Sequence, residues 1–346
     1  VDRRQRQMCI RDRPWVSDVE ANSTTGRVYV ASPRGHSVYV IQDIITPGAA
    51  AYMTAVPVGN YPTGLAVVTT TNKTYATNMH DWTVSVIGAG NTVIATIPVG
   101  AGPVKAAANN RFGRVYTTNY WFIDDGVTAI DSKTDTVLYH LNRTQSTQGR
   151  YGIDANPNND KVYVAARDAG LIAIFNGDWP LTDPLVFKLD PPRVPFMVAY
   201  NPTTGHLFVT CGADDLVVVL DPAVINLQSL RTARVGGQTV YLLDESSAGW
   251  LATIPVGDGP EEGLAVNPRT NRVYVTNMHS DTVSVLQDDV NIANIRWLLD
   301  IPVGDMPQGV GVNPAFNRVY VGNAGSKTLS IINGVTNAVI QTLPLP

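Results

Sequence analysis

The chain has 346 residues, of which 44% are hydrophobic and 16% charged, and its formal net charge is -4. It is long enough to bury a large core but poor in the charged helix formers that helical solenoids use, which indicates an all-β protein. The acidic balance argues against a nucleic acid as the partner. Because no run of about 18 apolar residues is present, we expect no membrane-spanning segment.

The first 14 residues differ from the rest of the chain. They carry five Arg against two Asp, and the string from Met8 to Arg13 resembles translated sequencing-adapter read-through of metagenomic assemblies. We expect residues 1–14 to be a non-native or disordered leader, with the native export signal missing. The alternative is a basic arm that binds an anionic surface. Of the two cysteines, Cys9 lies in this leader, and we predict that Cys211 is a lone buried thiol.

A phrase repeats along the remaining chain, and its clearest copy runs from Ile254 to Leu286. One aromatic position recurs at intervals of 41 to 47 residues, apart from a single interval of 66. Periods of this length are typical of propellers and arrays. The copies can be counted on Tyr29, Tyr75, Tyr116, Tyr163, Phe208, Tyr274 and Tyr320.

Each copy divides into four short runs that alternate or are rich in β-branched residues, separated by Gly, Pro, Asn and Asp. A four-stranded sheet cannot bury both faces alone, so neighbouring sheets must stack, and closing the stack protects its ends. We therefore predict a seven-bladed β-propeller of four-stranded antiparallel blades, formed by residues 15–346. The predicted blades cover about residues 16–59, 60–100, 101–149, 150–193, 194–257, 258–304 and 305–346.

Further details of the blades follow from residue types. In the sixth copy we predict strands at Gly263–Val266, Arg272–Thr276, Thr282–Leu286 and Arg296–Pro302. The first run of each copy is built from Gly, Ala and Val, which fit where seven sheets converge on an axis. Proline near the end of the fourth run marks an outer edge that resists pairing with other chains. We expect blades 1 and 7 to close by packing, without an exchanged strand.

The phrase Arg-Val-Tyr-Val-Thr-Asn at Arg272–Asn277 and Ile-Pro-Val-Gly at Ile254–Gly257 resemble the YVTN family of β-propellers. This family includes archaeal surface-layer propellers and bacterial periplasmic proteins of the YncE type. The resemblance covers nearly all of Val16 to Pro346 and implies a secreted, periplasmic or cell-surface protein. It does not single out a function, because propellers host binding, lyase, lactonase and redox roles on one scaffold.

Three histidines are predicted on one face, in the turns between the second and third strands of blades 1, 2 and 6. They are His36, His80 and His279. Histidine is a common metal ligand and a general base near neutral pH. However, these blades are not all neighbours, and no metal-ligand spacing is present, so the histidines are weak metal candidates or turn residues copied with the repeat.

The loops that enter the blades differ in charge, and we expect a basic sector to face an acidic one across this face. Such a mouth could hold a small polar or anionic ligand whose body aromatic side chains cover. Arg150→Ala should then weaken an anionic ligand. The alternative is a solvated loop surface with incidental charges. The basic residues are Lys105, Arg150 and Arg193. The acidic residues are Asp258, Glu261, Glu262 and Asp305. The aromatic residues nearby are Tyr61, Trp82, Trp121, Tyr151 and Phe196.

The interval of 66 residues contains an insertion from Pro222 to Gly249, with a possible extra strand at Thr239–Leu243. Its place between the third and fourth strands of blade 5 puts it on the face opposite the histidines. The insertion is either a lid, a contact surface for another protein, or a hairpin without a function of its own.

The sequence favours a monomeric binding or interaction module of the cell envelope, with no cofactor, whose partner is a small ligand, an envelope protein or a glycan. The alternative is a lactonase- or lyase-type enzyme at the axial mouth, with His80, His279 or Glu262 as acid or base. A metal-binding or redox-partner protein is the third possibility.

Overall fold

In a computed structural model of the chain, the structure describes residues 16–43, 53–121, 126–141, 149–177, 185–235 and 238–346, without the side chains of Leu141, Arg150 and Gln238. The predicted leader lies outside these residues. The described strands form seven antiparallel blades around one axis, which confirms the predicted all-β seven-bladed propeller. All seven counted aromatics lie on second strands and are at most 1% exposed.

The strands are numbered along the chain. The inner strands are β1 (Asp18–Asn22), β5 (Pro62–Val68), β9 (Pro103–Asn109), β13 (Arg150–Ala155), β17 (Pro195–Tyr200), β23 (Leu264–Asn267) and β27 (Pro307–Asn313). The second strands are β2 (Arg27–Ser32), β6 (Lys73–Asn78), β10 (Arg114–Asn119), β14 (Lys161–Ala166), β18 (Leu207–Cys211), β24 (Arg272–Asn277) and β28 (Arg318–Asn323).

The outer half of each blade follows the same order. The third strands are β3 (Ser37–Gln42), β7 (Thr83–Ile87), β11 (Val127–Asp131), β15 (Leu171–Asn176), β19 (Leu216–Leu220), β25 (Thr282–Gln287) and β29 (Thr328–Asn333). The fourth strands are β4 (Met53–Pro57), β8 (Val93–Pro98), β12 (Thr136–Leu141), β16 (Leu185–Leu189), β22 (Trp250–Pro255), β26 (Arg296–Pro302) and β30 (Ala338–Pro344). Single 3-10 turns lie at Leu227–Ser229 and Ile292–Asn294.

The repeated Arg-Val-Tyr-Val-Thr-Asn phrase forms the second strand, where side chains alternate between two faces. Its first, third and fifth residues face the following blade. In blade 2, Lys73 Nζ lies 2.7 Å from Asp135 Oδ2 of blade 3, and the Tyr75 hydroxyl donates to Asp135 Oδ1 over 2.6 Å. The Thr77 hydroxyl donates to the carbonyl of Val104, also in blade 3, over 3.1 Å. The phrase is therefore a clasp between neighbouring blades.

The asparagine that ends the phrase binds within its own blade. The Asn277 amide donates to the hydroxyls of Thr282 and Ser284 over 2.9 and 2.8 Å. The amides of Asn78 and Asn323 make the equivalent pairs of bonds. This is why Thr-Val-Ser follows the phrase in the sequence: the hydroxyls of the third strand satisfy a buried amide.

The clasp also closes the ring. Arg318 and the Tyr320 hydroxyl of blade 7 both bind the carboxylate of Asp43 in blade 1. Strand β1 packs against β27, and one hydrophobic cluster contains Val19 of blade 1 and Ile331 of blade 7. Each of the two blades takes its four strands from its own repeat. Closure by packing, without an exchanged strand, is confirmed.

Glycine lets the inner strands approach one another at the axis. A Cβ on Gly64 would lie 2.6 Å from the Cα of Lys105 in the next blade, and one on Gly152 would lie 2.6 Å from the Cα of Met197. Both distances are too short for any side chain. The equivalent residues around the ring are Asp18, Gly64, Lys105, Gly152, Met197, Gly263 and Gly309. Glycine thus alternates with a longer side chain, except that blades 6 and 7 both carry glycine.

The insertion lies, as predicted, between the third and fourth strands of blade 5, β19 and β22. Strand β21 (Gln238–Leu243) confirms the predicted extra strand, and it forms a hairpin with β20 (Arg231–Val235). However, β21 pairs in parallel with β16, so the hairpin extends blade 4 to six strands instead of joining blade 5. Val240 and Leu243 are fully buried, and this apolar burial holds the hairpin against the sheet.

Two smaller expectations are also met. Cys211 is a free, buried thiol, and its burial raises the pKa to about 12. The outer strands of blades 1, 2, 5, 6 and 7 each end on a proline. Within the described part of the chain, no helix has the length and apolar character needed to cross a membrane.

The clasp predicts a stability difference between two arginines at the same repeat position. Arg318→Met leaves the Asp43 carboxylate, which is 1% exposed, without its cation, and should lower the free energy of unfolding by about 3 kcal/mol or more. Arg27→Met is the matched control, since Arg27 makes a solvent-exposed bond to the Ala89 carbonyl and should lose about 1 kcal/mol or less. Urea denaturation measures both losses. Equal losses would contradict the clasp.

Candidate functional site

Turns between second and third strands and links between blades open on the same face of the ring. At its centre lies a hollow of about 220 Å³, which we call the axial mouth. The mouth is lined by Ser17, Pro33, Tyr61, Thr63, Met79, Val104, Lys105, Tyr120, Tyr151, Arg167, Glu262 and Gln308.

Two repeat positions build most of the wall of the axial mouth. One is the position at the start of the inner strand, and the other directly follows the second strand. Since both are joined to paired strands, the blades hold the lining in place. The first position supplies Ser17, Thr63, Val104, Tyr151, Glu262 and Gln308. The second supplies Pro33, Met79, Tyr120 and Arg167.

Arg167 holds its guanidinium over three aromatic rings at the mouth. The guanidinium carbon lies 5.5, 5.3 and 5.4 Å from the ring centroids of Tyr120, Tyr151 and Phe196. Its Nη2 donates to the Tyr120 hydroxyl over 2.8 Å, and its Nε donates to Asp168 over 3.1 Å. The side chain is 30% exposed. The mouth therefore presents an oriented guanidinium, a group suited to carboxylates and phosphates.

Tyr151 and Glu262 form a hydrogen-bonded pair at the floor of the mouth. The Tyr151 hydroxyl lies 2.7 Å from each carboxylate oxygen of Glu262. Burial, and then the charge of Glu262, raise the pKa of Tyr151 well above its ordinary value, so the hydroxyl stays protonated and donates. Beside it, the buried Lys105 Nζ lies 3.7 Å from Asp18 Oδ1 and 4.0 Å from Glu262 Oε2.

Beneath Lys105 the axis continues as a second hollow of about 360 Å³, which we call the axial channel. Lys105 and Glu262 are the two residues that line both hollows. The channel reaches the opposite face, where Pro157, Pro202 and Pro268 of the turns between first and second strands line it. Lys105 and Glu262 therefore lie between the mouth and the channel.

Besides Glu262, three carboxyl groups line the channel, on Asp18, Glu20 and Asp154. Burial raises the pKa of Asp154 to about 6, although two backbone N–H groups donate to it. Burial also raises the pKa of Glu20 well above its ordinary value, and the charges of Asp18 and Asp154 raise it further. The pKa of Asp18 is raised by burial and lowered in part by Lys105. The channel therefore shifts the titration of these three carboxyls toward higher pH.

Asp154 should make folding pH-dependent, because its folded pKa lies above the ordinary 3.8. A protonated carboxyl costs less to bury, so the stabilising contribution is complete below about pH 4 and lost as the pH rises through about 6. Alanine fills this position in four other blades. Between about pH 4 and 8 the wild type should lose about 1–3 kcal/mol relative to Asp154→Ala. Urea denaturation across this range tests it, and parallel stability curves would contradict it.

Three of the five predicted aromatic residues, Tyr61, Trp82 and Trp121, group with His80 on the rim between blades 2 and 3. The rings of Tyr61 and His80 stack with centroids 4.5 Å apart. His80 and Trp121 lie 6.0 Å apart, and Trp82 meets Trp121 at 6.0 Å and 88°. We call these four residues the aromatic cluster. Tyr61 is the member that also lines the axial mouth.

The three predicted histidines lie apart. His80 belongs to the aromatic cluster, His36 Nδ1 accepts the N–H of Tyr61 over 3.2 Å, and His279 Nδ1 lies 3.3 Å from Asp258 Oδ1. None of them lines the mouth or the channel. Across the described ranges, no group of three or more His, Cys, Asp or Glu side chains is placed to hold a metal.

Of the predicted charged residues, Lys105 of blade 3 and Glu262 of blade 6 approach each other at the floor of the mouth. Arg193 lies 3.9 Å from an aspartate of blade 5. Neither Arg193 nor Glu261 lines the mouth or the channel. The side chain of Arg150 lies outside the described residues.

Sequence reasoning missed Arg167 and Tyr120. Both directly follow a second strand, where the other copies carry Pro33, Met79, Gly212, Met278 and Ala324. A cation and a phenol at a position otherwise held by apolar or small residues are the signal that could have found them. Comparing the copies position by position, instead of loop by loop, would have shown it.

No family model and no curated protein matches the chain. Solved structures do match. Hydrazine synthase of Kuenenia stuttgartiensis is 15% identical with a TM-score of 0.71, covering 93% of this chain and 96% of that one. A functionally unknown protein from Desulfotomaculum acetoxidans is 12% identical with a TM-score of 0.72, covering 92% and 95%. U3-55K is 12% identical with a TM-score of 0.67, covering 90% and 89%. Likeness at these identities shows the propeller fold alone.

Proposed function

We propose that the protein is an extracytoplasmic binding module of the YVTN type, whose axial mouth takes a compact ligand with an anionic group. The observation that carries the proposal is the Arg167 guanidinium, held over Tyr120, Tyr151 and Phe196 at the mouth. A hollow of about 220 Å³ has the volume of about seven liquid waters, which suits a small molecule.

Different residues of the lining recognise different parts of the ligand. Arg167 pairs with the carboxylate or phosphate of the ligand, since a fixed guanidinium loses little freedom on binding. The faces of Tyr61 and Tyr151 cover the body of the ligand. At the floor, the Glu262 carboxylate accepts a hydrogen bond from a hydroxyl or an amine of the ligand. Lys105 offsets the negative charge of Glu262, which would otherwise disfavour an anion.

Binding is favoured over catalysis by where the predicted acid–base residues lie. A lactonase or lyase that used His80, His279 and Glu262 would need them around one pocket, and only Glu262 lines the mouth. The separated histidines likewise give no support to a metal or redox role. The proposed location in the cell envelope rests on the resemblance of the repeat phrase.

The test compares two arginines that each lie over an aromatic ring. Isothermal titration with glucuronate, citrate and 4-hydroxybenzoate measures the affinity of the wild type, Arg167→Met and Arg111→Met. Arg111 lies 5.8 Å from the Phe112 ring centroid on the opposite face, so its variant matches the loss of charge. We expect Arg167→Met to weaken binding about tenfold or more, with Arg111→Met unchanged. Equal weakening in both, or no binding of any of the three carboxylates, would contradict the proposal.

A further inference from the structure

The aromatic cluster presents aromatic rings to solvent outside the axial mouth. Trp82 is 41% exposed, and His80 beside it is also exposed. Contiguous exposed aromatics on a soluble protein commonly mark a binding surface. The cluster lies on the same face as the mouth, but Trp82 and Trp121 do not line it.

The turn at residue 82 does not require a large side chain. Trp82 has a φ of 58°, in the left-handed region that bulky residues adopt at a cost. The neighbouring Tyr61, with a φ of 60°, bears a similar cost. Glycine would form the same turn without strain. The equivalent residues of other blades are His36, Gly170, Asp215, Asp281 and Lys327.

Trp121 holds the exposed ring in a defined orientation. A Cβ on Gly102 would lie 2.8 Å from Trp121 Cγ, so this indole rests directly on the backbone of blade 3. Trp82 meets it at 88°. An edge-to-face contact leaves at least one face of each ring uncovered by the other. The two indoles form a rigid corner, which costs little entropy to use for binding.

Polar groups border this corner. The Asp81 carboxylate accepts the backbone N–H of Asn60 over 2.6 Å, and both side chains are exposed. A sugar ring has the matching chemistry: its C–H groups face the electron-rich side of an aromatic ring, and its hydroxyls donate to a carboxylate or an amide. The negative charge of Asp81 disfavours uronic acids and nucleic acids, and so favours a neutral sugar.

We propose that the aromatic cluster is a second binding site, which takes the hexose rings of a neutral glycan. Trp82 stacks on the sugar, Trp121 supports Trp82, and Asn60 and Asp81 bind the hydroxyls. The two sites share Tyr61, but Trp82 and Trp121 do not line the axial mouth and Arg167 takes no part in the cluster.

Affinity electrophoresis tests this proposal, using native gels that contain hydroxyethylcellulose, glucomannan or laminarin. At least one polysaccharide should retard the wild type, and Trp82→Gly should lose tenfold or more in affinity. Because glycine suits the left-handed φ, Trp82→Gly should melt at or above the wild-type temperature, which separates loss of binding from loss of fold. Trp297→Ala is the control, since Trp297 is an exposed tryptophan on β26 of blade 6 and its removal should leave retardation unchanged.

Several outcomes would overturn the glycan site. One is that none of the three polysaccharides retards the wild type; another is that Trp82→Gly is retarded as strongly as the wild type. Loss of retardation in Arg167→Met would place the sugar in the axial mouth instead. Binding of a thymidine oligonucleotide that depends on Trp82, without retardation by any polysaccharide, would identify the cluster as a nucleic-acid surface.

Discussion

The close approach of seven inner strands at one axis is the constraint on which this molecule depends. Where one strand faces the next at contact distance, a Cβ does not fit, and glycine is required at Gly64 and Gly152. The positions between them admit longer side chains, on Asp18, Lys105 and Met197. These side chains line the axial channel, and Lys105, together with Glu262, lies between the channel and the mouth. Alternation of small and large residues is a common solution for a crowded interior.

Ordinary repeat positions hold the ring together, and unusual residues at those positions carry the proposed functions. The Arg, Tyr and Thr of the phrase face the next blade and clasp it, so most copies must keep them. The residue that follows the second strand does not belong to the phrase, and at this position Tyr120 and Arg167 line the mouth. The left-handed residue of the turn before the third strand also lies outside the phrase, and blade 2 carries Trp82 at this position. Departures from the repeat therefore point to sites on an otherwise uniform scaffold.

The fold could be predicted from the sequence because its contacts lie within one repeat or between neighbouring repeats. The strands of the sixth copy are confirmed to within one residue. Contacts across the ring could not be predicted, since no spacing in the sequence relates Lys105 of blade 3 to Glu262 of blade 6. The pairing of the β20 and β21 hairpin with blade 4 could not be predicted for the same reason: apolar residues specify burial, not which neighbour provides it.

The central claim is that the alternation at the inner strands places Lys105 between the mouth and the channel. A crystal structure of Lys105→Gly tests it most directly, since glycine is the residue of four other blades at this position. The account predicts that seven blades remain and that the mouth and the channel join into one continuous passage from Arg167 to Pro157. Two hollows that stay separate, or inner strands that close on the vacated space, would contradict it.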